Sequence, residues 1–286
     1  MLTLVWGTTW AAIRVGLAGL PPFTAVAIRF AIATTILLAI ARASKVELGR
    51  QPHEKTLWFV NGLLFFSVSY GVVYWSELYV PSALASILFA TFPLLVTLFA
   101  HWILPHEPLR AAAGVGAVVA FAGIVVIFSE DLAKIGGPKA AHAAAVLLLS
   151  PLVSSLSSVL VKRYGAAIHP ISLAAVPMAI AAAVMGALAL IFERGQPIAW
   201  TPATIGSLAY LSVCGSAVTF TLYYWLLRHV RANRVALIAY LTPVIAVVTG
   251  VVALHEHFTV RFLIGGLLVI AGVAVAAKSP PVPIKS

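Results

Sequence analysis

Charge is what this sequence has least of. Only 9% of its 286 residues carry a formal charge, where a soluble domain carries about a quarter. A chain so poor in charge has too little polar surface to face water on every side, so a water-soluble fold is excluded. Cysteine is almost missing as well. Cys214 stands alone in an apolar run, which rules out a disulfide framework or a cysteine-built metal site. Acids number eight against eighteen Lys and Arg, a net charge of +10. Those basic residues are scattered over short connections and form no continuous face with interleaved aromatics, so nucleic acid is not the partner. Attraction to the anionic cytoplasmic leaflet accounts for the excess. There is no P-loop, nucleophile elbow, HExxH motif or pair of carboxylates within one apolar run. No catalytic residues, cofactor or metal are expected. His101 with Glu107, and His255, Glu256 and His257, imitate metal clusters, but each reads as a solvated helix end.

Apolar residues are what the chain has in plenty: 62% of the total, with a mean hydropathy of +1.06. A bilayer-crossing helix needs about 20 mostly apolar residues. Punctuation by Pro, Gly and charge gives ten such segments, roughly 2–19, 22–41, 56–76, 81–103, 110–129, 141–162, 170–192, 202–227, 232–254 and 260–277. The first reads as a helix and not a signal peptide, since no basic residue precedes it and Arg14 interrupts it. Nothing is left over for the soluble signalling domain a receptor would need. With the N-terminus inside, twelve basic residues (Arg42 to Lys55, Arg110, Lys162 and onward) fall on cytoplasmic connections. Only Lys134, Lys139, Arg194 and Arg261 fall opposite. This asymmetry predicts an inner-membrane, multi-pass protein with both termini cytoplasmic.

The two halves repeat one another. Tyr74-Trp75 returns as Tyr224-Trp225, Pro93 as Pro243, Glu107, Gly116 and Gly123 as Glu256, Gly265 and Gly272, and Arg14 and Pro22 as Lys162 and Pro170. All these pairs are 148 to 150 residues apart. Five helices is an odd number, so the second half enters from the other side. The expected fold is all-α and membrane-integral: ten helices as two inverted five-helix repeats, 1–139 and 140–286, around a central cavity where transporters hold substrate.

Polar stripes mark the helices that face such a cavity. They comprise Trp6, Trp10 and Arg14 in the first helix, Ser67, Tyr70, Tyr74 and Glu77 in the third, and Ser82, Ser86, Phe89 and Pro93 in the fourth. The sixth carries Ser154, Ser155, Ser157 and Ser158, the eighth Ser216, Thr219 and Tyr223, and the ninth Asn233 and Tyr240. From these the candidate substrate-binding residues are Trp6, Trp10, Arg14, Tyr70, Tyr74, Ser86, Ser158, Thr219, Tyr223 and Tyr240. Other readings stay open for each. Membrane hydroxyls often bond their own backbone. Trp and Tyr near span ends, such as Trp58, Trp102, Trp200 and Tyr210, suit the interface. Arg14 either meets substrate or snorkels outward. The fifth, seventh and tenth segments are nearly all apolar. Gly116/Gly123 and Gly265/Gly272 allow close backbone approach, either between the halves of one chain or in a dimer.

The tandem five-helix repeat, Trp6-Gly7-Thr8 opening the first helix, Pro93 and Pro243, the following Glu107 and Glu256, and the Gly-rich fifth helices resemble the EamA-type branch of the drug/metabolite transporter superfamily. The resemblance spans essentially the whole chain and is nearest to amino-acid exporters, those for aromatic amino acids included. It implies export of small metabolites by alternating access. The first helix holds no acid, unlike that of proton-coupled multidrug relatives, so obligatory proton coupling is not expected. The alternative is a proton-coupled exporter of lipophilic cations. The partners implied are the lipid bilayer and a small-molecule substrate, handled by a monomer or a dimer.

Overall fold

The computed structural model describes residues 1–105, 107, 111–127, 129, 137–242, 244–245 and 260–277. Pro243, Glu256 and the tail lysines lie outside them. Among the described residues the chain is helical, with no strand. The helices are α1 (Leu2–Leu17), α2 (Pro22–Ala43), α3 (Glu54–Ser76), α4 (Ser82–Phe89), α5 (Phe92–Ile103), α6 (Ala111–Ile127), α7 (Gly137–Tyr164), α8 (Pro170–Phe192), α9 (Pro202–His229), α10 (Ala232–Ala236) and α11 (Val260–Ala277). Six helical stretches are long and apolar enough to cross a membrane: α2, α3, Ala85–Ile103, α7, α8 and α9.

Local chemistry sets the ends. Pro22, Pro170 and Pro202 open their helices, where a missing N–H costs nothing. The Thr201 hydroxyl accepts from the Thr204 N–H at 3.1 Å and caps α9. The fourth segment, expected as one helix, is two. Pro93 has no N–H to give to Phe89, and the chain turns at Ala90–Thr91 between α4 and α5.

α2 lies along α8 and α6 along α11, while α5 packs on α7 and α1 on α9. The α6–α11 contact is backbone to backbone. A Cβ on Gly116 would sit 2.5 Å from the Gly272 carbonyl oxygen, and one on Gly272 would sit 2.4 Å from the Ala120 nitrogen. The glycines thus serve contact within one chain. Outward, Leu190, Ile191 and Phe192 of α8 and Leu267 and Ile270 of α11 are exposed. Water would not tolerate this apolar surface, and lipid does. Trp102 and Trp200 are exposed. Trp58 and Tyr210, expected beside them, are tied inward instead. Trp58 Nε1 donates to Ser172 Oγ at 2.9 Å, and the Tyr210 hydroxyl meets Thr8 Oγ1 at 2.5 Å.

Candidate functional site

α3 and α9 each contain a π-helical stretch, Gly62–Ser69 and Val213–Val218. A π turn offsets the ladder by one residue and is frequent at functional sites. Serine hydroxyls bridge the offset in both helices: Ser67 donates to the Gly62 carbonyl (2.8 Å) and Ser216 to the Leu211 carbonyl (2.9 Å), each five residues back.

Beside these stretches lies a partly open cavity with a mostly apolar wall. α1 supplies Trp6, Thr9, Trp10 and Ile13, and α3 supplies Phe65, Ser69, Tyr70 and Val73. Phe89 and Phe92 flank the α4–α5 break, Phe220 and Tyr223 come from α9, and Val235 and Ala236 from α10. Ala239 and Thr242 follow α10, and Arg29 enters from α2. The Trp6 ring stands 5.6 Å from Phe220 and 5.4 Å from Tyr223, and Trp10 stands 5.7 Å from Phe89. Most hydroxyls on this wall are engaged. Tyr223 donates to Ser158 Oγ (2.9 Å), Ser69 pairs with Ser150 (2.7 Å), and Thr9 donates to the Trp6 carbonyl (2.7 Å). The buried Trp6 indole N–H has no partner.

Arg29 is 1% exposed. Its Nε donates to Ser216 Oγ (2.8 Å), Nη1 to the Tyr74 hydroxyl (3.0 Å) and Nη2 to the Gly215 carbonyl (3.0 Å). The guanidinium carbon lies 4.9 Å from the Tyr70 ring centre. Every one of these partners is neutral.

Of the residues expected to bind substrate, Trp6, Trp10, Tyr70 and Tyr223 line the cavity and six do not. Arg14 sits at the end of α1 and donates to the Glu77 carbonyl. Lys162, its counterpart in the repeat and expected only to anchor topology, donates to the carbonyls of Leu227 (2.7 Å) and Val230 (2.8 Å). Tyr74 is the support of Arg29, and Ser158 the support of Tyr223. Ser86 and Thr219 are buried off the wall. Tyr240 belongs to a separate core with Ile87 and Val269. The serines of α7 follow the plainer reading: Ser154 and Ser158 bond carbonyls four residues back. Arg29, Phe65 and Phe220 were not foreseen. The signal for Arg29 was present, a basic residue inside an apolar run. Phenylalanines in a span carry no such mark.

The acids are better placed than solvated loops would be. Glu193 caps α2, accepting from Phe23 N (2.7 Å) and Thr24 N (2.8 Å). Glu107, expected in water, is buried and accepts from Ala232 N (3.1 Å). Glu77, in the turn after α3, is buried. One of its oxygens accepts from Ser82 (2.8 Å) and the other has no partner. Burial pushes its carboxyl up to about 8, against the Ser82 hydrogen bond and the Arg14 charge. No group of three His, Cys, Asp or Glu suited to a metal occurs among the described residues.

The profile of the EamA-like transporter family matches residues 1–129 and again 142–277. The chain is 26% identical over 272 residues to the uncharacterized transporter YoaV of Bacillus subtilis, covering 95% of this chain and 92% of that one. It is 30% identical over 281 residues to the uncharacterized inner membrane transporter YedA of Escherichia coli K12, covering 96% and 88%. A crystal structure superposes with a TM-score of 0.82 at 23% identity, covering 96% of this chain and 93% of that one, which establishes a shared fold. With its apolar helices and its two successive family matches, the chain is a multi-pass membrane transporter, not an enzyme, and it belongs to the EamA-like transporter family.

Proposed function

We propose that this transporter exports small metabolites, amino acids with aromatic side chains among them, from the cytoplasm across the inner membrane. It does so by alternating access and without obligatory proton coupling. The observation that carries the reading is the cavity wall: rings from α1, α3, α4, α5 and α9 and, among the described lining residues, one formal charge, the positive Arg29. Rings bury an apolar side chain, and a positive charge with no acid among those residues disfavours a lipophilic cation. Ten spans in two inverted repeats form the scaffold, the ninth partly outside the described residues. Support comes from the two successive family matches and from the π stretch in each half. Arg14 and Lys162 also close on main-chain oxygens at matching positions, Glu77 and Leu227. The working unit is the single chain, since Gly116 and Gly272 already face each other within it, and it needs no cofactor.

Purified protein in liposomes, loaded with labelled amino acids or quaternary amines, provides the test. Saturable release of aromatic amino acids is expected, at an initial rate about unchanged when the proton gradient is collapsed. Trp10→Ala should lower that rate and Trp102→Ala should not. Faster release of quaternary amines than of amino acids, driven by an imposed pH gradient, would sink the reading in favour of proton-coupled cation export.

A further inference from the structure

We propose that Arg29 is the carboxylate anchor of the cavity, so that the substrate class is organic monocarboxylates with an aromatic or bulky apolar tail, whether or not they also carry an amine. This rests on the export reading above and sharpens it.

A guanidinium has five N–H groups and no acceptor, and three of Arg29's are matched here by Ser216, Tyr74 and Gly215. Among the described residues, no carboxylate is within ion-pair distance of it. The ion pair found among the described residues joins Arg50 to Glu47 at the surface. A charge taken out of water without a counter-ion is costly, and within a membrane it is a functional residue by default. The neutral partners hold the fork in place without cancelling its charge. Tyr70 stacks against it, and Arg29 is part of the cavity lining.

The repeat sharpens the point. At the spacing that relates Pro22 to Pro170, Arg29 corresponds to Pro177. A residue needed only to build the five-helix unit would be expected in both halves, and this one occurs in the first alone. The Trp6 indole N–H, on the same wall, has no hydrogen-bond partner. It and the two guanidinium N–H groups that those three bonds leave over are donors for the oxygens of a carboxylate. Nothing on the described wall carries a negative charge to hold an ammonium. The site therefore reads the acid and the tail of its substrate and leaves the amine unread.

The experiment is counterflow of labelled phenylalanine in proteoliposomes of the full chain, competed by unlabelled phenylalanine, 3-phenyllactate (acid without amine) and phenylalanine amide (amine without acid). Phenyllactate is expected to compete about as well as phenylalanine, and the amide at least about ten-fold more weakly, the value of a charge-assisted pair. Arg29→Gln should abolish the preference for acid over amide. Arg29→Lys, which keeps the charge but not the fork, should raise KM about ten-fold with kcat near normal, and it decides the matter if Arg29→Gln does not fold. Equal competition by amide and acid in the wild type overturns the inference alone, as does a lysine variant that loses kcat with KM unchanged. A wild type that moves no phenylalanine at all overturns the export reading, and the inference falls with it.

Discussion

Pro177 interrupts the hydrogen-bond ladder of α8 four residues after Leu173, whose carbonyl is thereby left without its helical donor. In a membrane no water is at hand to replace the lost donor. Asn61 of α3 fills the gap: its Nδ2 donates to Leu173 O at 3.0 Å and meets the Tyr224 hydroxyl at 2.8 Å, while its Oδ1 accepts from Ser157 at 2.9 Å. Asn61→Leu should lower stability by roughly 1–3 kcal/mol for the stranded carbonyl alone. Denaturant titration in detergent reads this, and an unchanged midpoint would show that the bond is dispensable. Glu77 gives a pH-dependent counterpart. Its carboxyl is held up to about 8 in the fold, against an ordinary value of 4.5. The folded state therefore binds the extra proton between those limits. The stability this contributes is present below about 4.5 and is lost as pH rises through about 8. Wild-type melting temperature should fall between pH 5 and 8, and Glu77→Gln should flatten that fall; parallel curves would show that Glu77 is not the titrating group. The aromatic wall was half legible in the sequence, because Trp6, Trp10, Tyr70 and Tyr223 carry polar atoms that mark a stripe. Phe65, Phe89, Phe92 and Phe220 make as much of the wall, and of these only Phe89 lay in a predicted stripe. Arg29 belongs to no stripe, because the residues three and four positions from it in α2 are Ala25, Val26, Ile32 and Ala33.

At the level of the helix, glycine spacing was readable and ladder irregularity was not. Gly116 and Gly272 advertise close packing because only a missing Cβ permits it. Gly116→Leu should force α6 from α11, since the nearest atoms, Ala276 N and Gly272 O, are main-chain atoms at 2.5 Å that no rotamer change can clear. The expected loss is about 1–3 kcal/mol or more, seen as reduced folded yield on size exclusion. Normal yield would mean that the two helices separate in the working protein. The π stretches of α3 and α9 left no sequence signature, for a five-residue bond is made by main-chain groups that every residue has. The α4–α5 break was visible as Pro93, but an apolar run on both sides of a proline reads as one span until the chain is seen to turn.

Across the whole molecule, the membrane class and the six long spans were legible because bilayer thickness imposes a length and a composition together. Orientation rests on charge asymmetry and is open to direct measurement. In a Cys214→Ser background, single cysteines near Lys45 and Arg231 should be shielded from an impermeant thiol reagent added outside, and one near Lys139 should label. Labelling at Arg231 with protection at Lys139 would reverse the topology. The ends of the two halves were harder to match, since Glu77 in one corresponds to Leu227 in the other, and a comparison of side chains finds nothing shared. Yet Arg14 and Lys162 bond the oxygens of the peptide groups at those very places. A main-chain oxygen is indifferent to the side chain it travels with. Under the proposed repeat, positions 77 and 227 can therefore differ in chemistry, one a buried acid and the other an aliphatic, while a basic side chain fastens to the peptide oxygen at each.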